Sequence, residues 1–209
     1  MSLTMIDRTN RCSTATWRLW VDRCGGFELM TGDQWCVGSA RPDAPADIQV
    51  QADWRRNEGR LIRQGSDYLW RSTDSQTDCL LNPGQTLPID GTARMILDQP
   101  SPLSGTATLS LAPPHRFRHH VDGVLLVDQT VLLGPGPNNH IRCTAWEDSA
   151  VMVLRQGIWQ AKLKPTSRSV GTTDKANSGG EVGKPTHFID LVPGQRISIG
   201  EIDVTLEQS

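Results

Sequence analysis

Arginine side chains that could bind an anion are concentrated between residues 41 and 63. This segment contains Arg41, Arg55, Arg56, Arg60 and Arg63. Because the planar guanidinium fork suits bidentate recognition of phosphate, Arg41, Arg55 and Arg56 form a candidate anion site. Acidic residues are interleaved with the arginines, namely Asp43, Asp47, Asp53 and Glu58. The alternative interpretation is a solvated face of surface ion pairs, each of which contributes little to stability.

Other motifs that could do chemistry are incomplete. A candidate metal site has its possible ligands in one short segment, at His115, His119, His120 and Asp122, but no Cys-x-x-Cys or His-Glu-x-x-His motif accompanies it. The string at 178–185 resembles a phosphate-binding loop, but Pro185 replaces the hydroxyl residue that binds Mg²⁺. No nucleophile, base and orienting group can be assembled from neighbouring residues. The sequence therefore predicts a protein that is not an enzyme and uses no metal or cofactor.

Composition narrows the class of protein. The chain has 209 residues, with 21 Lys and Arg against 23 Asp and Glu, for a net charge of −2. This balance argues against a strongly basic nucleic-acid binder. With neither a long apolar run nor the apolar core of a signal peptide, the chain is predicted to be cytoplasmic, away from membranes. Five irregularly spaced cysteines, Cys12, Cys24, Cys36, Cys79 and Cys143, are predicted to be reduced thiols.

An internal repeat organises the chain. Three blocks recur in the same order: 14–40 with 106–136, 46–71 with 139–163, and 80–89 with 190–199. The second pair shares an Arg-Gln-Gly turn and the third pair shares Pro-Gly-Gln. We interpret the chain as two copies of one domain, residues 1–103 and 104–209, joined near the Pro- and Ser-containing segment at 100–104.

Apolar residues alternate along short segments in both copies. Trp17, Leu19 and Val21 form one such run, and Val151 with Val153 forms another. Period-two runs bounded by turn residues predict an all-β protein made of two tandem antiparallel β-sandwich domains. The polar, Gly- and Ser-rich segment 164–185 is predicted to be a long loop of the second domain. The seven tryptophans could form stacking platforms, but most lie in strand patterns and are predicted to pack in the core.

The turn and strand order of each copy resembles the forkhead-associated (FHA) domain, a β-sandwich whose loops bind phosphothreonine peptides. The matching elements of the first copy are Val37-Gly38-Ser39, Asp47-Ile48, the segment 55–59 leading to Leu61, and 81–89. Those of the second copy are Leu133-Gly134-Pro135, His140-Ile141, the segment 146–150, and 191–200. The resemblance covers nearly the whole chain twice and implies that the loops at one end of each sandwich carry the binding site.

Both copies depart from the family at residues that the resemblance places at the phosphopeptide site. The family's Arg after Gly corresponds to Ser39 and Pro135, its Ser to Arg55 and Trp146, and its bracing His to Glu58 and Ser149. In the second copy, Glu147 and Asp148 at this place would repel a phosphate. We therefore expect phosphate recognition to be absent from the second copy.

The first copy retains a possible phosphopeptide site, with Ser39, Arg41, Arg55 and Arg56 as its candidate residues. The predicted function is a non-enzymatic protein–protein interaction module in which phosphothreonine recognition is weakened or lost, with a protein or phosphopeptide as partner and no nucleic acid or membrane. The alternative is a structural scaffold or regulatory domain with no ligand.

Overall fold

A computed structural model describes residues 16–75, 77–164 and 187–208. Within these ranges the chain is all-β and contains no helix. The first nine strands are β1 (Thr16–Val21), β2 (Gly25–Met30), β3 (Gln34–Ser39), β4 (Ile48–Val50), β5 (Gly59–Gln64), β6 (Asp67–Ser72), β7 (Cys79–Leu81), β8 (Gln85–Thr86) and β9 (Met95–Asp98). The next nine are β10 (Ala107–Leu111), β11 (Gly123–Leu126), β12 (Thr130–Gly134), β13 (Ile141–Arg142), β14 (Ser149–Arg155), β15 (Ile158–Lys164), β16 (Ile189–Asp190), β17 (Arg196–Ile199) and β18 (Ile202–Gln208).

Alternating burial explains most of these strands. In β1, Trp17, Leu19 and Val21 are buried while Trp20 on the other face is 39% exposed, as period-two alternation predicts. In β14, Ala150 and Met152 join the core cluster, whereas Val151 lies on the other face and is half-buried. Apolar residues occupy both faces of β14, so alternation alone does not show which face is buried.

The repeat in the sequence is a repeat of strands. The aligned blocks place β1, β2 and β3 opposite β10, β11 and β12, and the shared turns join β5 to β6 and β14 to β15. The Pro-Gly-Gln turns precede β8 and β17, with φ of +78° at Gly84 and +77° at Gly194. Each of these turns uses a left-handed backbone that glycine adopts without steric cost. Strand n of the first repeat therefore corresponds to strand n+9.

The strands form three sheets. Two have five strands in equivalent orders, β4-β3-β5-β6-β7 and β13-β12-β14-β15-β16, and the third has eight in the order β17-β18-β1-β2-β11-β10-β9-β8. Most neighbours are antiparallel, but β2 with β11, β3 with β4, and β12 with β13 are parallel. The sheets are therefore mainly antiparallel, as predicted, with three parallel pairs.

The two hydrophobic clusters show which strands pack together. One cluster joins β1 and β2 with β12–β18, and the other joins β3–β9 with β10 and β11. We call the unit of β3–β11 the first sandwich and the unit of β1, β2 and β12–β18 the second sandwich. Each repeat thus gives its first hairpin to the other sandwich. The clusters divide the chain at two crossovers, 31–33 and 127–129.

The parallel pair β2 and β11 joins the two sandwiches edge to edge in one sheet. Leu29 lies opposite Leu125, and both belong to the core of the second sandwich. Met30 lies opposite Leu126, and both belong to the core of the first. Because successive side chains point to opposite faces of a strand, the two five-stranded sheets cover opposite faces of the eight-stranded sheet. Strands β2 and β11 are equivalent in the two repeats and pair in parallel. The two repeats are therefore related by a pseudo-twofold axis that runs along these strands.

Arg63 holds the two crossovers together. Its side chain is 10% exposed, and its Nη2 donates to Asp33 Oδ1 at 2.8 Å while Nη1 lies 3.0 Å from Asp128 Oδ1. One nearly buried guanidinium therefore neutralises a carboxylate from each crossover. The equivalent residue of the second repeat, Arg155, instead lies over the Phe188 ring.

The prediction of reduced thiols was wrong for two cysteines. Cys24 and Cys143 form a disulfide, with Cα atoms 5.5 Å apart and a sequence separation of 119 positions. Cys24 lies in the turn of the β1–β2 hairpin, and Cys143 follows β13 in the sandwich that accepts this hairpin. Their spacing gave no sign of this pairing, because only the exchange brings them together. Cys36 and Cys79 are free, and Cys12 lies outside the described residues.

The segment 164–185 is predicted to be a long loop. Nearly all of that segment lies outside the described residues.

Among the residues that the structure describes, none forms a helix with the length and apolar character needed to span a membrane.

Replacing Arg63 with Met is expected to destabilise the protein by about 1–3 kcal/mol, because it removes a charge-assisted hydrogen bond to Asp33 and an ion pair with Asp128. Urea denaturation of the full chain measures the loss. Arg155→Met is the matched control and is expected to change stability by less. Equal losses in the two variants would show that the crossovers do not depend on Arg63.

The exchange also predicts a specific cross-link. A non-reduced proteolytic digest of the native protein is expected to contain the Cys24 and Cys143 peptides joined. Reduction is expected to lower the free energy of unfolding by about 2–4 kcal/mol, since the bond closes a long loop in the unfolded chain. Alkylation of both thiols in the native, unreduced protein would contradict the exchanged arrangement.

Candidate functional site

Four loops meet at one end of the first sandwich, which we call the loop end. They connect β3 to β4 (40–47), β4 to β5 (51–58), β6 to β7 (73–78) and β8 to β9 (87–94). The loop 51–58 lies against the end of β3, because the Ser39 N–H donates to the Arg55 carbonyl oxygen at 2.9 Å. A Cβ atom at Gly38 would lie 2.1 Å from the Arg56 carbonyl oxygen, so only glycine permits this approach.

The structure places all four predicted site residues at the loop end, but in different environments. Ser39 is buried, and its hydroxyl has no hydrogen-bond partner among the described residues. Arg41 is exposed. The side chains of Arg55 and Arg56 are also exposed, and each one pairs with a carboxylate from a different loop.

The pairing of these arginines limits what they can bind. Arg55 Nη1 donates to Asp74 Oδ2 at 2.6 Å, and Arg56 Nη1 lies 2.8 Å from Asp43 Oδ2. The hydrogen bond to Asp74 raises the pKa of Arg55. Glu58 accepts a hydrogen bond from the Arg55 N–H and so braces the turn. An incoming phosphate would compete with these carboxylates for each guanidinium.

A cavity of about 270 Å³ opens beside Arg55. It is lined by Asp53, Arg55, Glu58, Trp70, Ser72, Asp74, Pro88, Ile89, Asp90 and Gly91. Four of these residues carry a carboxylate, and Arg55 is the one lining residue with a positive charge. Asp53 and Asp90 have no ion pair with any residue that the structure describes. The cavity is therefore acidic, which the run of arginines in the sequence did not indicate.

Asp74 and Asp90 are the site residues that sequence reasoning missed. They lie in the loops after β6 and β8, well away in sequence from the segment 41–63. The loop after β6 lies beside the loop 51–58 because β6 pairs with β5. The loop after β8 comes from the eight-stranded sheet, which packs against that five-stranded sheet. No spacing or motif in the sequence marks either residue.

The two repeats brace their equivalent loops with different side chains. Asp47 Oδ2 accepts a hydrogen bond from the Cys36 N–H at 2.7 Å. At the matching position of the second repeat, His140 Nδ1 accepts one from the Leu132 N–H at 2.9 Å. This bond requires the unprotonated nitrogen. Burial disfavours the charged ring and lowers the pKa of His140 to about 4.

Tryptophan provides little exposed stacking surface at the loop ends. Trp54 and Trp146, which occupy matching positions in the two repeats, are both buried. Four more tryptophans are buried, Trp17, Trp35, Trp70 and Trp159, whereas Trp20 is partly exposed on the eight-stranded sheet. The prediction that most tryptophans pack in the core is confirmed.

The described residues contain no group of three or more His, Cys, Asp or Glu arranged to hold a metal ion. Of the predicted metal candidates, His115 Nε2 lies 3.2 Å from Thr92 Oγ1. Comparison of the chain with protein-family models, with curated proteins and with solved structures finds no match.

His140 is expected to make stability depend on pH. Its pKa is about 4 in the native state and near 6.5 when unfolded. Its contribution is therefore complete above pH 6.5 and is lost as the pH falls toward 4, because only the unfolded state takes up the proton. The difference in stability between wild type and His140→Gln is expected to shrink by about 2–3 kcal/mol between pH 7.5 and pH 4.5.

Urea denaturation at the two pH values measures this difference. Glu28 acts in the opposite direction, since burial raises its pKa to about 7, but it is present in both proteins and cancels. A difference that does not change with pH would show that His140 is not held neutral.

Proposed function

We propose that the protein is a non-catalytic protein-interaction module of two FHA-like sandwiches that has lost phosphothreonine recognition. The observation that carries the proposal is the acidic cavity at the loop end of the first sandwich, where Arg55 is already bound to Asp74. The sequence offers no assembled nucleophile and base, so the proposal assigns no reaction.

The arrangement of loops supports a binding role. The four loops of the first sandwich converge at one end of a rigid sheet, and such loops carry binding residues in many β-sandwich proteins. The equivalent strand orders of the two five-stranded sheets support the same organisation in both repeats. Fold alone does not fix function, so the chemistry of the loop end decides between ligands.

Charge argues against a phosphorylated ligand. A phosphothreonine carries about −1.5 to −2 charges at neutral pH and requires free donors. At the first loop end it would meet Asp53, Glu58, Asp74 and Asp90. Ser39, which corresponds to the family's phosphate-contacting Arg, is buried. In the second repeat Pro135 stands at that position and offers no side-chain donor.

A ligand-free scaffold is the second candidate function. The hairpin exchange and the disulfide between Cys24 and Cys143 tie the two repeats into one body. This rigidity would suit a regulatory or structural domain as well as a binding module.

Binding to peptide libraries tests the proposal. A phosphothreonine library and its unphosphorylated twin are offered to the full chain at low and high salt. We expect no preference for phosphate, and we expect Arg56→Ala to leave binding of both libraries unchanged, because Arg56 is neutralised by Asp43.

Two results would contradict the proposal. Salt-sensitive binding that requires phosphate and disappears in Arg56→Ala would identify a working phosphothreonine reader. If neither library binds above background, the result would favour the ligand-free scaffold.

A further inference from the structure

We propose that a cavity around Trp20, in the second sandwich, binds the pyranose ring of a neutral sugar. The cavity has a volume of about 360 Å³. It lies on the outer face of the eight-stranded sheet, by which we mean the face of β1, β17 and β18 that points away from the core of the second sandwich. This site is separate from the loop end of the first sandwich and goes beyond the proposed interaction function.

Trp20 provides an aromatic platform in the wall of this cavity. In β1 it alternates with Leu19 and Val21, which are buried in the core, so its side chain lies on the outer face. Its strand partner in β2 is Gly26, where a Cβ atom would collide with Cζ3 of the indole. The benzene part of the ring therefore lies on bare backbone, while 39% of the residue remains exposed.

The fold does not require an aromatic residue at this place. The strand equivalent to β1 in the second repeat is β10, and its sequence, Ala-Thr-Leu-Ser-Leu, contains none. The other six tryptophans are all buried in the two cores. Trp20 is thus the tryptophan whose ring is left for a ligand, and covering it would remove apolar surface from water.

Polar side chains flank the ring on both sides. Trp20 pairs with Thr205 of β18, and Thr205 pairs with Arg196 of β17, so these three residues form one row across the outer face. On the other side of the ring, Asp122 Oδ2 accepts a hydrogen bond from the Gly26 N–H at 2.9 Å. A pyranose ring matches this arrangement, because it has an apolar C–H face for the indole and a rim of hydroxyl groups for the polar side chains.

The charges around the cavity largely neutralise one another. Arg196 Nη2 donates to Asp22 Oδ2 at 2.8 Å and to Asp203 Oδ2 at 2.6 Å. Arg23 and Asp122, which also line the cavity, carry opposite charges. The five charged residues of the lining therefore leave a net charge of only −1. A metal ion would meet carboxylates that Arg196 already engages, and a phosphate would meet Asp122.

Two polar atoms of the wall are available to a hydroxyl group. Asp122 Oδ1 and Arg196 Nη1 have no hydrogen-bond partner among the described residues. They supply an acceptor and a donor, and a sugar hydroxyl group can bond to either. A wholly apolar ligand would separate these charged groups from water without replacing its hydrogen bonds, which is costly.

Isothermal titration calorimetry with four neutral oligosaccharides tests the proposal. The probes are the β-linked hexamers of glucose, mannose, xylose and N-acetylglucosamine, each titrated at millimolar concentration into the full, disulfide-bonded protein. We expect at least one of them to bind. Sorbitol is the matched control ligand, because it carries hydroxyl groups on an open chain that has no ring face, and it is expected not to bind.

Matched variants locate the site. Trp20→Ala is expected to weaken sugar binding about tenfold or more, and Trp20→Tyr is expected to retain part of it, because tyrosine keeps an aromatic face. Leu80→Ala is the control, since Leu80 is an apolar residue that is 52% exposed on β7 of the first sandwich. It is expected to leave binding unchanged. Circular dichroism and urea denaturation check that the variants are folded.

Each other outcome would overturn the inference. These outcomes are no binding by any of the four oligosaccharides, binding that persists in Trp20→Ala, and equal weakening in Leu80→Ala. If no sugar binds and Trp20→Ala instead abolishes binding of the unphosphorylated peptide library, the ring belongs to a protein interface. The sugar site would then be wrong while the proposed interaction function stands.

Discussion

The parallel pairing of β2 with β11 is the constraint on which the rest of the structure depends. It joins the two repeats through backbone hydrogen bonds, and its alternating side chains supply both hydrophobic cores from opposite faces. Neither repeat has a complete sandwich of its own, because each lacks the hairpin that it gives away. Arg63 and the disulfide then hold the arrangement at two separate places, the crossovers and the tip of the first hairpin.

The same arrangement fixes the character of the loop end. The framework holds four loops side by side, so the sign of the local charge is decided by residues that are distant in sequence. Arg55 and Arg56, which the sequence interpretation selected, both lie at this loop end. Asp74 and Asp90 change the local charge, and they come from loops that only the folded sheets bring together. The sequence pattern alone therefore does not indicate the charge of this end.

Strands were predictable because their signals are local. Alternation and turn glycines such as Gly65 and Gly84 located the strands and the repeat, which the all-β structure confirms. The exchange was not predictable, because alternation shows that one face is buried but does not name the sheet that buries it. In β2, the adjacent residues Leu29 and Met30 are both buried, yet they belong to different cores. The cysteine pair was missed for the same reason.

The exchange also fixes an order of events during synthesis. The sandwich of residues 34–126 is continuous in sequence, so all its strands leave the ribosome before the rest of the second sandwich is made. The hairpin of residues 16–30 is made before this sandwich, and β18, its neighbour in the sheet, is made after it. At about 5–20 residues per second, this hairpin waits roughly ten seconds or longer for its partners. Such long-range pairing makes folding slow, and until then the hairpin competes with its own copy, β10 and β11, for the edge of β9.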